Sequence, residues 1–251
     1  MNESGAPALK RGLDILEIIS LSQSIGFNSL KQESGLNTSS LNRILKVLIN
    51  EDYIIKNGEG KYELGMKLFT ISYGNSTWQP LMSNISKILH DISAKFDVTA
   101  LFNVFLYSGG YVIDKVICPD NVSMRPVGDI ASDYARTPWG LLYLAEMGDG
   151  ERNEFIKEHK DIFPGDGYLH GAVFEDFIKF IKENGYSDDK NMIQKNMRRF
   201  AAPVYGKNGK ITAAIAVGTF VNLIDDAKAV IIAGELMRNA AALSEIIQGK
   251  Y

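Results

Sequence analysis

The sequence predicts an α+β chain in two parts: a small helical unit closed by a β-hairpin, then a larger unit in which helices flank an antiparallel sheet. Three observations carry this. Apolar residues recur at helical spacing in three short segments before residue 50; two β-type runs around an Asn-Gly turn follow at once; and beyond residue 80 amphipathic helices alternate with strand-like runs joined by Gly-rich turns. The 251 residues are 45% hydrophobic, enough to fill packed cores and to exclude a disordered chain.

The first helix is expected over 8–21, where Leu9, Leu13, Leu16, Ile18 and Ile19 alternate with Lys10, Arg11, Asp14 and Glu17. A second spans 29–34 and stops at Gly35, a residue that tolerates the positive φ of a helix end. Asn37 or Thr38 then caps a third helix running to about Asn50, with Leu41, Ile44, Leu45, Leu48 and Ile49 as its buried stripe. Strand-like 53–56 and 61–64 flank Asn57-Gly58-Glu59-Gly60, so three helices and a hairpin make a winged helix-turn-helix over 1–64. A linker helix occupies the next segment, 65–77, whose polar end Gly74-Asn75-Ser76-Thr77 marks a boundary. The remainder, 78–251, reads as one α+β domain: a helix over 80–95, paired strands 98–107 and 111–117 joined at Ser108-Gly109-Gly110, and helices at 138–147 and 174–184. Strands 200–205 and 211–219 turn at Gly206-Lys207-Asn208-Gly209, and a long helix covers 223–247.

A third helix that buries Leu41, Ile44, Leu45 and Leu48 turns Thr38, Ser39, Ser40, Asn42, Arg43 and Lys46 outward. Arg bonds guanine O6 and N7, Asn bonds adenine N6 and N7, and Ser or Thr bonds base or phosphate, which is the chemistry of a major-groove helix. Lys56 and Lys61 bracket the hairpin, where they would grip the DNA backbone, and Lys10, Arg11 and Lys31 add positioning contacts. The competing reading is a solvated helix face. Net charge does not decide between them: it is −3 overall, and residues 1–75 hold eight basic and eight acidic side chains, so any DNA affinity must come from local placement.

Leu9-Lys10-Arg11-Gly12-Leu13-Asp14-Ile15-Leu16 resembles the opening of IclR-family regulators. Ser34 to Leu45 resembles that family's turn and recognition helix, and Gly60-Lys61-Tyr62-Glu63-Leu64-Gly65 its wing. Arg125-Pro126-Val127-Gly128, Pro138-Trp139-Gly140-Leu141-Leu142 and Phe200-Ala201-Ala202-Pro203-Val204-Tyr205 are similar to landmarks of its effector-binding domain. The resemblance implies a GAF-like C-terminal domain, a homodimer or dimer of dimers on palindromic double-stranded DNA, and control by a small-molecule effector, often an organic acid. It implies an effector site near Thr137, Trp139, Gly140, Asp188, Asp189, Arg199, Ala216 and Gly218. Trp139 stands where the family usually has a small residue, and Ala216 and Gly218 where hydroxyls are common. For Arg198 and Arg199 two readings remain open, with only one of the two expected to point inward: a buried Arg holding a ligand carboxylate through parallel hydrogen bonds, or else an exposed basic pair or a salt bridge to Asp188 or Asp189. Trp139 is equally a core aromatic, and Thr137 a helix cap.

Other chemistries find little support. His90, His159 and His170 have no ligand spacing; Asp166 beside His170-Gly171 is the one local acid–histidine grouping, so no metal is expected. Cys118, the single cysteine, has no neighbouring histidine and reads as a small hydrophobe. No glycine pattern cradles a nucleotide, so no cofactor is expected. Without a signal-like start or a run of ~18 apolar residues, the chain reads as soluble and cytoplasmic with no membrane partner. A regulator is therefore expected, more readily a repressor; the alternative is a small-molecule-binding module or enzyme whose N-terminal helices serve oligomer or protein contacts.

Overall fold

The computed structural model describes residues 5–73, 78–106, 109–131, 134–158 and 172–250. The expected boundary tract 74–77, Tyr107 and Ser108 of the first strand pair, and the group His159, Asp166, His170 and Gly171 lie outside the described residues. The chain forms two compact units, 1–79 and 80–251.

In the first unit, helices α1 (Pro7–Ser22), α2 (Phe27–Ser34) and α3 (Thr38–Asn50) precede strands β1 (Ile54–Lys56) and β2 (Tyr62–Leu64) and helix α4 (Met66–Tyr73). Ile15, Ile19, Leu30, Leu41, Leu45, Leu48, Ile54 and Tyr62 form its core. The buried stripes are narrower than the apolar periodicity: Leu9 and Leu13 on α1 are 64% and 53% exposed, and Ile49 is 37% exposed. Only the turn of α1 carrying Ile15 and Ile19 is covered by neighbouring elements, so the apolar residues one turn earlier stay in water. Ile25 exchanges backbone hydrogen bonds with Tyr62, at 3.0 and 2.8 Å, and so adds a third extended segment to the wing.

The hairpin is present, but its turn is not built on the Asn-Gly pair. The left-handed residue is Gly60, φ +79°, while Asn57 and Gly58 both keep negative φ. Gly60 N–H donates to Asn57 O at 3.0 Å, and Asn57 Oδ1 accepts from Glu59 and Lys61 N–H, each at 3.0 Å. This is a four-residue turn ending in a glycine bulge, with Asn57 as its clamp rather than as a residue of positive φ.

The second unit is a six-stranded antiparallel sheet in the order β5-β4-β3-β8-β7-β6. Its strands are β3 (Thr99–Leu106), β4 (Gly109–Val116), β5 (Ile130–Ala131), β6 (Ser187–Asp188), β7 (Met197–Tyr205) and β8 (Ile211–Phe220). Helices α5 (Trp78–Phe96) and α9 (Asp226–Lys250) supply Ile85, Leu89, Ile232 and Leu236 against Phe102, Phe200 and Ile215 on one face. Helices α6 (Pro138–Glu146) and α8 (Ala172–Asn184) supply Trp139, Leu142, Phe177 and Ile181 against Leu101, Ala201 and Ala216 on the other. The strands are buried on both sides and therefore read as apolar runs rather than alternating ones. Two-residue β5 and β6 and helix α7 (Asp149–Glu158) were not foreseen, since none shows periodicity in sequence. Among the described residues no helix is long and apolar enough to cross a membrane.

Candidate functional site

The first unit presents α3 through three local devices. Gly35 ends α2 in the left-handed region at φ +63°; Asn37, not Thr38, caps α3 by accepting Ser40 N–H at 2.8 Å; and Gly65 closes the hairpin against the preceding loop. A Cβ on Gly65 would stand 2.1 Å from the Asp52 carbonyl oxygen, so only glycine fits there. Thr38, Ser39, Asn42, Arg43 and Lys46 are exposed and Ser40 is half-buried. Among the described residues no carboxylate pairs with Arg43 or Lys46, which leaves two cations on one helix face.

The wing lysines differ. Lys56 lies over the Tyr62 ring, 5.7 Å from its centroid, whereas Lys61 pairs with Glu59 at 2.8 Å. That hydrogen bond raises the Lys61 pKa and lowers that of Glu59. The pair is solvent-exposed and weak, so a phosphate competes with Glu59 on even terms. Lys10 is paired with Asp14 at 2.8 Å.

Beside α3 lies a feature that the sequence reading missed: an apolar groove of about 720 Å³ floored by Leu9, Leu13, Leu16 and Val47. Val47 is 60% exposed. The signal was present in the unusually broad apolar arc of α1, which exceeds what two packed neighbours can cover.

In the second unit the residues expected around an effector divide between the sheet's two faces. Asp188 and Arg198 sit on the α9 side, where Asp188 Oδ1 and Oδ2 accept from Arg198 Nε and Nη2 at 3.2 and 2.8 Å. Arg198 also donates to Asp226 Oδ1 at 2.8 Å, and these partners raise its pKa further, with Asp188 contributing most. Asp189 and Arg199 sit on the α6 side, with Arg199 Nε donating to Asp189 Oδ2 at 2.6 Å and Nη2 to Arg136 O at 3.1 Å. Burial pushes the Asp189 carboxyl up, and the Arg199 cation opposes that shift. The expectation that one arginine alone turns inward is corrected: both are buried, at 8% and 6% exposure, because consecutive strand residues alternate faces and each finds an aspartate there.

Thr137 caps α6 by accepting Gly140 N–H at 3.1 Å. A Cβ on Gly140 would lie 2.1 Å from Tyr134 O, so this glycine lets α6 seat against the short 3-10 turn Tyr134–Arg136. Trp139 is 1% exposed and its Nε1 has no hydrogen-bond partner among the described residues. Ala216 is fully buried, and the space above Gly218 is taken by Met124, whose Sδ would be 2.7 Å from an added Cβ. Two polar residues of this face escaped the sequence reading, Asn103 in β3 and Ser187 in β6, both fully buried, and among the described residues neither amide atom of Asn103 nor Ser187 Oγ has a partner. The signal for Asn103 was a lone amide inside the apolar strand Thr99–Leu106.

A winged helix followed by a helix-flanked sheet with buried polar groups on both faces defines the class of a two-unit transcription regulator. The C-terminal model of the bacterial transcriptional regulator IclR matches residues 77–245, and the chain belongs to the IclR family. It is 23% identical over 245 residues to the HTH-type transcriptional regulator XynR of Escherichia coli K12, covering 96% of each chain. It is also 23% identical to the transcriptional repressor IclR of the same organism, covering 87% of this chain and 82% of that one. Among solved structures, an IclR-type regulator from Silicibacter superposes with a TM-score of 0.80 at 16% identity, over 96% of each chain.

Proposed function

We propose that the protein is a sequence-specific DNA-binding repressor, not an enzyme, which acts in the cytoplasm on a palindromic operator and is released or engaged by a small-molecule effector. The observation that carries this reading is the outward face of α3, where Asn42, Arg43 and Lys46 are exposed and the two cations meet no carboxylate among the described residues. Thr38, Ser39 and Ser40 at its N-terminus approach phosphate, and Lys56 and Lys61 hold the adjacent backbone. The protein works as a homodimer or dimer of dimers. Exposed Leu9 and Leu13 on α1 and Met66 and Ile71 on α4 supply an apolar area that a second copy would cover. Two α3 helices about 34–36 Å apart then read successive turns of DNA. The effector binds the α6-side face of the sheet, among Trp139, Asn103, Ala216 and the Arg199–Asp189 pair, with Thr137, Gly140 and Gly218 shaping the backbone around it.

Selection from random duplexes at two salt concentrations tests the DNA reading, with wild type and Arg43→Ala compared. Wild type is expected to recover a palindrome; Arg43→Ala loses about 1–3 kcal/mol at one base position, while Lys61→Ala weakens all sequences alike. An Arg43→Ala loss that is uniform across sequences overturns the base-reading role.

A further inference from the structure

We infer that Asn103 reads the effector, and that the molecule it reads is uncharged and carries a hydrogen-bond donor and acceptor side by side, as an amide or lactam does. The inference rests on the effector site proposed above. Asn103 lies at the middle of β3, opposite Ala214 of β8 and Val112 of β4, both of which belong to the α6-side core. It is wholly buried, yet both Nδ2 and Oδ1 lack a partner among the described residues. Each such orphan carries an unrecovered desolvation penalty, which folded chains rarely retain without something that binds there. Its neighbour on β4 is Gly110, where a Cβ would fall 2.8 Å from Nδ2 and 3.0 Å from Oδ1, so the amide lies over bare backbone.

Two more orphans share this face. Trp139 Nε1 on α6 and Ser187 Oγ on β6 are buried without partners, and between the strands that carry Asn103 and Ser187 the floor is Ala214, Ala216 and Ala201. The charge on the face is already balanced: Arg199 is neutralised by Asp189 and also donates to the Arg136 carbonyl, and Lys115 turns to the Ser123 carbonyl at an exposed position. A carboxylate brought to Asn103 would accept from Nδ2 but leave Oδ1 facing an anion, with no unpaired buried cation among the described residues in compensation. An amide returns both bonds, its carbonyl accepting from Nδ2 and its N–H donating to Oδ1.

The experiment is calorimetry and thermal unfolding of the full chain with benzamide, nicotinamide and 2-pyrrolidone, each beside an acid counterpart, benzoate, nicotinate and 4-aminobutyrate. Wild type is expected to bind amides in preference to acids. Asn103→Leu is expected to unfold at or above the wild-type temperature when ligand-free, since it removes two orphans, and to lose amide affinity by about tenfold per hydrogen bond. Asn103→Thr serves as the second variant if the leucine is not accommodated. Acid binding that survives Asn103→Leu keeps the site and sinks both the ligand class and the role of Asn103. Amide binding indifferent to both variants sinks the role alone, and no response to any of the six compounds sinks the effector site with it.

Discussion

At the scale of single residues, the most demanding side chains are the buried ions. Asp189→Ala leaves Arg199 as a buried cation without its carboxylate, and a loss of about 3–5 kcal/mol is expected in urea unfolding. A loss below about 1 kcal/mol would mean that water already reaches the pair. Gly140→Ala is the complementary steric test. Its Cβ meets backbone, not a movable side chain, so α6 or the Tyr134 turn must shift, and a clear drop in unfolding temperature is expected. Little of this was legible in sequence. Asp188-Asp189 and Arg198-Arg199 are visible as pairs, but which aspartate meets which arginine depends on strand pairing across ten residues of chain.

At the scale of elements, the helices were readable because their apolar spacing is long and regular, and their ends were fixed by capping chemistry. Asn37 holds α3 by one hydrogen bond to Ser40 N–H, so Asn37→Ala should cost about 1 kcal/mol of stability and weaken DNA binding without altering the preferred sequence. Denaturation and site selection on the same variant separate the two effects. Strands β5 and β6 and helix α7 were hidden for the opposite reason. Two residues have no period, and α7 is anchored by the buried polar side chain of Arg152, which pairs with Glu175 of α8 at 3.7 Å and carries no apolar signal.

At the scale of the whole molecule, the second unit is tied across its helical layer by Glu235 of α9, which accepts from Lys95 of α5 at 2.6 Å. The Lys95 hydrogen bond, the largest cause, holds the Glu235 carboxyl below its ordinary 4.5. Its contribution is therefore present above that unfolded-state value and lost as pH falls through the lower folded one. Glu235→Gln should cost up to about 1 kcal/mol near pH 7 and nothing once wild-type Glu235 is protonated, as read by unfolding curves over a pH series. A difference that persists at low pH would assign the effect to packing.

The two ion pairs that alternate across β6 and β7 also bear on how the chain finds its fold. Strand β6 is two residues long, too short for backbone bonds to choose its alignment. A slip of one residue would move each aspartate to the other side of the sheet, but there it meets the other arginine, because Arg198-Arg199 alternates faces as Asp188-Asp189 does. Charge therefore holds this edge without fixing its register, which falls to the turn that follows, where Asp188 and Asp189 Oδ1 also accept from Lys190 and Asn191 N–H.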